Sequence, residues 1–299
     1  MDRRQFIVGS SLLAAGTLVP FQPLLARKTL ETFTGLRRNV GYFTERGGTI
    51  GWLIADDALV VVDAQFPESA RLFIEGVEER SSRRIDALIN THHHGDHTQG
   101  NTVFRDKAQT IVAHENVPRL MRRAQEEGDP EPAYPDKTFS KSWRLDAGNE
   151  TVSIRHYGPA HTGGDAVIYF ERANVVHMGD LVFNRMNPYT DRPSGASMHN
   201  WVNVLETVVE EFPADAIYIF GHGNEKFGVT GSAKDLLVMR DYLSAMIEHV
   251  IRGIDAGRPK EEIIDKKEME QFPQFAYAEW WTLSQNLEVA YAEAIDMRE

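Results

Sequence analysis

The chain has 299 residues, 42% of them hydrophobic, with 44 acidic residues against 32 Lys and Arg, a formal charge of −12 and no cysteine. That length and apolar content suit one large α/β domain, or a domain with an appendage. The acidity argues against a polyanion-binding groove, so no nucleic-acid partner is expected. Zero Cys excludes disulfides, thiolate metal ligands and a thiol nucleophile.

Near its start the chain carries Asp2-Arg3-Arg4-Gln5-Phe6-Ile7, which resembles a twin-arginine export signal. The moderately apolar run Phe6 to Pro20 follows and is too short to span a membrane. Leu24-Leu25-Ala26 offers a cleavage site. Residues 1–26 are therefore set apart as a signal, and the mature protein is expected to be periplasmic or secreted. An ordinary Sec signal and an uncleaved anchor are the alternatives. No membrane contact beyond the signal is expected. Its one net positive charge leaves with it, taking the formal charge from −12 to near −13.

Gly48 to Ala55 and Ala58 to Asp63 read as paired strands around an Asp56-Asp57 turn. Glu68 to Glu79 has helical periodicity. Ile85 to Asn90 is an apolar run that reads as a buried strand. It leads into Thr91-His92-His93-His94-Gly95-Asp96-His97, in which four imidazoles and a carboxylate follow a His-x-His-x-Asp-His order. Residues i and i+2 of an extended segment point the same way, so His92 and His94 can share one ion, while His93 points away. A turn at Gly95 lets Asp96 and His97 face a second ion. Imidazole and carboxylate are ligands that Zn²⁺ takes in catalytic sites, which need three protein ligands and an open position.

Gln109 to Ala113 follows as a strand. His114 is read as the start of a surface helix extending over Glu115 to Glu127, with a solvated basic face at Arg119, Arg122 and Arg123. Gly128 to Lys137 is a Pro-rich acidic loop. Strands then alternate with turns through Met178. Three further candidate ligands come after strand-like runs: His161 in Pro159-Ala160-His161-Thr162-Gly163-Gly164-Asp165, Asp180 in His177-Met178-Gly179-Asp180, and His222 in Phe220-Gly221-His222-Gly223. His177 reads as either a packed strand-end residue or a support for the ligands. His199 precedes the helix Trp201 to Phe212. The loop 183–192 directly follows Asp180, and its Arg185, Tyr189 and Arg192 are candidate substrate contacts.

The series THHHGDH, PAHTGGD, HMGD and FGHG resembles the metallo-β-lactamase fold superfamily over about residues 40 to 225. The resemblance implies an αββα sandwich with the metals at one edge. By it, His92, His94 and His161 hold a first zinc, Asp96, His97 and His222 a second, and Asp180 bridges them. Asp63 resembles a family Asp that lies near the metals without ligating them. A bridging Asp resembles the glyoxalase II, lactonase and ribonuclease Z branches. His94 stands where the family's di-iron oxygen reductases carry Glu, which favours zinc hydrolysis, although Fe or Mn can occupy such a site. Two metals roughly 3.5–4 Å apart share a bridging hydroxide and polarise the scissile group, and Asp96 orients that hydroxide.

From Ala233 to Ala256 and from Phe275 to Ile295 the pattern is helical, broken at Gly257-Arg258-Pro259, with a short charged helix over Lys260 to Lys267. The layout is thus a metallo-β-lactamase-like domain over 27–232 with C-terminal helices, 233–299, packed on it; a substrate-binding or dimer-forming lobe is the sharper alternative. The expected function is an exported dinuclear zinc hydrolase acting on a small-molecule ester, thioester or lactone. The alternatives are β-lactam hydrolysis and a non-catalytic zinc-binding protein.

Overall fold

Leu59, Val60, Val61 and Val62 form a strand buried on both faces. Val60 and Val62 join one apolar cluster while Leu59 and Val61 join another, as the two-residue period of a strand requires. This alternation defines the layers of the molecule. The computed structural model describes residues 32–277 and 280–298; the export signal expected over 1–26 lies outside them.

Strands β1 (Phe33–Arg37), β2 (Val40–Phe43), β3 (Ile50–Ile54), β4 (Leu59–Val62), β5 (Ala87–Ile89), β6 (Ile111–His114) and β7 (Lys137–Phe139) form one sheet in chain order. The later strands are β8 (Ser142–Ala147), β9 (Glu150–Arg155), β10 (Val167–Phe170), β11 (Val175–His177), β12 (Phe183–Asn184), β13 (Ile217–Ile219), β14 (His222–Gly223) and β15 (Thr230–Gly231). The second sheet runs β15-β13-β11-β10-β9-β8, and β12 pairs separately with β14. Among the described residues the α-helices are α1 (Pro67–Glu78), α2 (Gly95–Thr98), α3 (Asn101–Phe104), α4 (Val117–Ala124), α5 (Met198–Glu211), α6 (Ala233–Asp255), α7 (Lys260–Ile264) and α8 (Leu283–Asp296).

The inner faces of the two sheets meet through Val60, Val62, Ile89 and Val112 on one side and Val152, Ile154, Ile168 and Ile219 on the other. Outside the first sheet, Phe43, Leu59 and Val61 pack with Phe73 of α1. Outside the second, Val176 and Tyr218 pack with Trp201 and Leu205 of α5, Leu236 and Leu243 of α6, and Leu287 of α8. The architecture is the expected αββα sandwich, and the C-terminal helices share a core with the second sheet. A fully buried Leu or Ile contributes about 1.5–3 kcal/mol, so these helices are a structural layer of the sandwich.

The mixed strand directions position the site. β4, β5 and β6 are parallel to one another, as are β11 and β13. Parallel strands deliver their C-terminal ends to one edge. Asp63, the His92 to His97 segment, Asp180 and His222 leave β4, β5, β11 and β13 respectively.

Two expectations about local structure are corrected. His114 does not begin a helix: it ends β6, is buried, and stacks on His156 with ring centres 3.9 Å apart. The final helix starts at Leu283, not at Phe275. Thr282 and Gln285 form a capping box there, and the preceding backbone is bonded elsewhere, with Asn187 N donating to Ala276 O and Ala276 N to Arg185 O.

Candidate metal centre

All seven candidate ligands meet at that edge. His92 Nε2 and His161 Nε2 each lie 3.0 Å from His94 Nδ1. Beside this triad, His222 Nε2 lies 3.1 Å from Asp96 Oδ2, and His97 Nε2 lies 3.5 Å from it. Asp180 stands between the triads. Its Oδ2 is 3.5 Å from His161, 3.8 Å from His92 and 3.4 Å from His222, while its Oδ1 is 3.1 Å from His97. These ligand atoms fall in two groups, each close enough together to hold a metal ion. The buried Asp180 Oδ1 makes no hydrogen bond of acceptable geometry, and the approach of His97 does not supply one. A buried carboxylate oxygen left this way is costly unless a cation completes it. The residues therefore fit two metal ions with Asp180 shared.

Outer partners choose which imidazole nitrogen faces inward. His92 Nδ1 donates to Thr91 Oγ1, which donates to Asp63 Oδ2 at 2.8 Å. His97 Nδ1 donates to the same Asp63 oxygen at 2.7 Å. His161 Nδ1 donates to Tyr189 O at 2.6 Å, and His94 Nε2 donates to Asp191 Oδ2 at 3.0 Å. Each bond holds the proton on the outer nitrogen and leaves the inner lone pair for a metal. Asp63 serves two ligands without entering the cluster, and it sits at φ +65°, a strained conformation for a non-glycine residue. Two glycines make room. A Cβ on Gly221 would lie 1.9 Å from Asp180 Oδ1, and one on Gly48 would lie 2.1 Å from the His97 ring.

The electrostatics divide the cluster. Burial, then neighbouring imidazoles, holds His92 well below its ordinary value. Burial and His94 likewise push His161 down to about 3. Burial opposes charge on His97 and His222 too, but Asp180 and Asp96 outweigh it. His97 is held well above the ordinary imidazole range and His222 is raised to about 9. Asp180 is held well below the usual carboxylate range: burial works against its charge, and His222 and His97 overcome that.

The other named residues have different places. His93 is buried and approaches Asp191 Oδ2 at 3.5 Å and Ser194 Oγ at 3.2 Å. His177 packs at its strand end, its Nε2 3.0 Å from Thr49 O. His199 pairs with Glu293 at 2.9 Å. Of the three candidate substrate contacts, only Tyr189 lines the cavity over the cluster. Arg185 is drawn to Asp235 at 2.6 Å, and Arg192 to Glu293 and Asp296. Both carboxylates that claim Arg192 belong to α8, and Asp235 belongs to α6; the C-terminal helices take these cations away from the site.

That cavity, about 440 Å³, is lined by Phe66, Phe183, Met186, Asn187, Tyr189 and Trp280 beside His94, Asp96, Asp180 and His222. Trp280 comes from the C-terminal segment, which carried no motif. Tyr189 meets Trp280 at 5.9 Å and Trp281 at 4.6 Å between ring centres.

The family model described as the metallo-beta-lactamase superfamily matches residues 44–222, the span that holds every ligand candidate. The chain belongs to the metallo-β-lactamase superfamily. It is a metal-dependent hydrolase of that superfamily. It is similar to a metallo-beta-lactamase type 2 of Bacillus sp. (strain 170), 24% identical over 197 residues, 63% of this chain and 74% of the relative. It is also similar to a probable metallo-hydrolase of Methanocaldococcus jannaschii, 26% identical over 191 residues, 58% of this chain and 86% of the relative. Its fold superimposes on a stereoselective inverting sec-alkylsulfatase from Pseudomonas sp. with TM-score 0.66 at 14% identity. That match covers 90% of this chain, and the chain spans about half of the alkylsulfatase, 51%.

Proposed function

We propose that this metallo-β-lactamase-superfamily protein is an exported dinuclear zinc hydrolase that cleaves a small ester, thioester or lactone. The observation that carries the reading is Asp180, whose two oxygens face both triads while the cavity opens on the same carboxylate. When bound there, two zinc ions supply a water ionised near neutral pH and polarise the oxygen of the scissile group. Asp180 ties the two halves of the centre together and keeps their spacing. Asp96, whose side chain is 27% exposed and lines the cavity, orients the attacking water. Asp63, Tyr189 O and Asp191 hold the imidazoles against rotation as the substrate binds. The twin-arginine motif at Arg3 and Arg4 supports export.

A second reading, β-lactam hydrolysis, draws on the relatives that carry that name. The cavity weighs against it. β-Lactam antibiotics carry a carboxylate, and no Lys or Arg is among the described cavity-lining residues. A metal-storage role is weighed against by the open cavity above the cluster, since storage needs no access for a substrate. The test is kcat/KM for a lactone, a thioester and a cephalosporin on one zinc-reconstituted preparation. A cephalosporin preference of about a hundredfold, ~2.7 kcal/mol, would overturn the substrate ranking.

A further inference from the structure

The cavity holds more information about the substrate than the metal ligands do. Apart from His94, Asp96, Asp180 and His222, its wall is Phe66, Phe183, Met186, Tyr189, Trp280, Asn187 and two glycines. Its polar groups are the Tyr189 phenol and the Asn187 amide, and the amide is already used. Asn187 Nδ2 donates to Trp281 O at 3.0 Å, and its Oδ1 accepts from Tyr242 Oη at 3.1 Å and Asn286 Nδ2 at 3.0 Å. It fixes the wall and has little left for a ligand. The cations that the adjoining loop carries, Arg185 and Arg192, are committed to Asp235, Glu293 and Asp296. Arg46 is an exposed cation beside the cavity, its guanidinium 4.7 Å from the Phe66 ring centre, and it is not part of the lining.

The exposed edge of this wall is apolar as well. Trp280 is 68% exposed, one of three large hydrophobic side chains exposed among the described residues. It stands against Tyr189 at the mouth of the cavity. Because Trp280 continues the wall of Phe66, Phe183, Met186 and Tyr189, the concave surface is predominantly apolar and aromatic, as ligand pockets are. The segment that carries Trp280 is held to the loop of Tyr189 by the backbone bonds between Asn187, Ala276 and Arg185, so the wall is built in advance.

We infer that the cavity takes an uncharged substrate whose acyl or alkoxy group is an apolar chain or ring, seated between Met186, Tyr189 and Trp280, and that it discriminates against a carboxylate on that group. The inference rests on the hydrolase reading and deepens it. A carboxylate at the far end of that group, away from the metal ligands, would lose its hydration with no Lys or Arg among the described lining residues to replace it, inside a chain whose formal charge is already −12.

The experiment compares phenyl acetate, phenyl butyrate, phenyl hexanoate and the monophenyl ester of adipic acid on zinc-reconstituted protein. In parallel, the non-hydrolysable ketones hexanophenone and 5-benzoylpentanoate are titrated by tryptophan fluorescence. We expect kcat/KM to rise about three- to fourfold per added methylene, the factor that ~0.8 kcal/mol per buried CH₂ represents. The adipate ester should fall at least tenfold below the hexanoate, and hexanophenone should bind at least tenfold tighter than its carboxylate analogue. Trp280→Ala should flatten the chain-length series through KM while the metal content stays at the wild-type value. Arg46→Gln should leave the ranking unchanged. Turnover that is flat with chain length, or that favours the adipate ester, overturns the apolar assignment and leaves the hydrolase standing. If none of these esters is turned over, the ester arm of the proposed function fails, and the thioester and lactone arms stand on their own assays. The ketone pair then decides alone: tighter hexanophenone binding upholds the apolar occupant, and equal or reversed affinity overturns it.

Discussion

His94 Nε2 lies 3.0 Å from Asp191 Oδ2, across 97 residues of sequence, and this bond turns His94 Nδ1 toward His92 and His161. Asp191 is itself anchored, its Oδ1 accepting from Ser194 N at 3.2 Å. Removing the carboxylate frees the ring to rotate or change tautomer. Asp191→Ala should weaken metal binding about 10- to 100-fold, read by competition against a chromophoric chelator. Unaltered affinity for both ions would show that Asp191 merely caps its own turn.

Asp180 has a larger predicted role, because its oxygens face the imidazoles of both triads. Asp180→Ala should release one of the two ions, lower kcat by about a hundredfold or more, ~2.7 kcal/mol, and leave the far-ultraviolet circular dichroism as in the wild type. The short side chain removes little packing, so stability should change mainly through the lost metal. Gly221→Ala reaches the same carboxylate by another route, since the new Cβ falls 1.9 Å from Asp180 Oδ1. It should lose metal similarly. Gly35→Ala, whose Cβ would meet only Trp52 Cη2 at an ordinary 3.9 Å, should keep both ions. A Gly221→Ala protein with full metal content would contradict the tight packing around Asp180.

The stacked pair His114 and His156 sets an acid limit on stability. Burial, then the neighbouring imidazole, pushes His114 down to about 4, and burial lowers His156 as well. In the unfolded chain such groups protonate near pH 6.5. The folded state resists their protonation, so their stabilising contribution is present above pH 6.5 and is lost as the pH falls from there through about 4. His114→Gln can still donate toward Ser140 O, which His114 Nε2 meets at 3.0 Å. Its Tm should fall less between pH 7 and pH 5 than that of the wild type. Identical pH slopes for the two proteins would remove the pair from the account.

The ligands were legible in the sequence because each follows a short apolar strand and carries its own turn chemistry. The His92 to His97 motif, His161, Asp180 and His222 all meet in space. The sandwich was legible for the same reason, through alternation such as that of Leu59 to Val62. The partners that orient the ligands were harder to read. Tyr189 acts through a backbone carbonyl, which no side chain reports. Asp191 lies in the loop suspected of substrate contact, yet nothing local separates it from Asp165, whose carboxylate bonds Thr162 instead. Arg185 and Arg192 read as substrate contacts because the loop follows Asp180; their carboxylate partners on α6 and α8 lie 50 and 101 or more residues away. Trp280 was hidden by a continuous apolar pattern, which ran the last helix through residues that instead pair with Arg185 and Asn187.

Export is tested at residues outside the described structure. Replacing Arg3 and Arg4 together by Lys should hold the precursor in the cytoplasm if the twin-arginine route is used, read by fractionation and blotting. Undiminished export of the double variant would assign the signal to the Sec route.

The central claim is that two metal ions sit on one shared carboxylate, and elemental analysis of gently purified protein addresses it most directly. The seven converging ligands predict close to two zinc ions per chain, with activity abolished by chelation and restored by zinc. A clean value of one ion per chain with full activity would contradict the dinuclear centre.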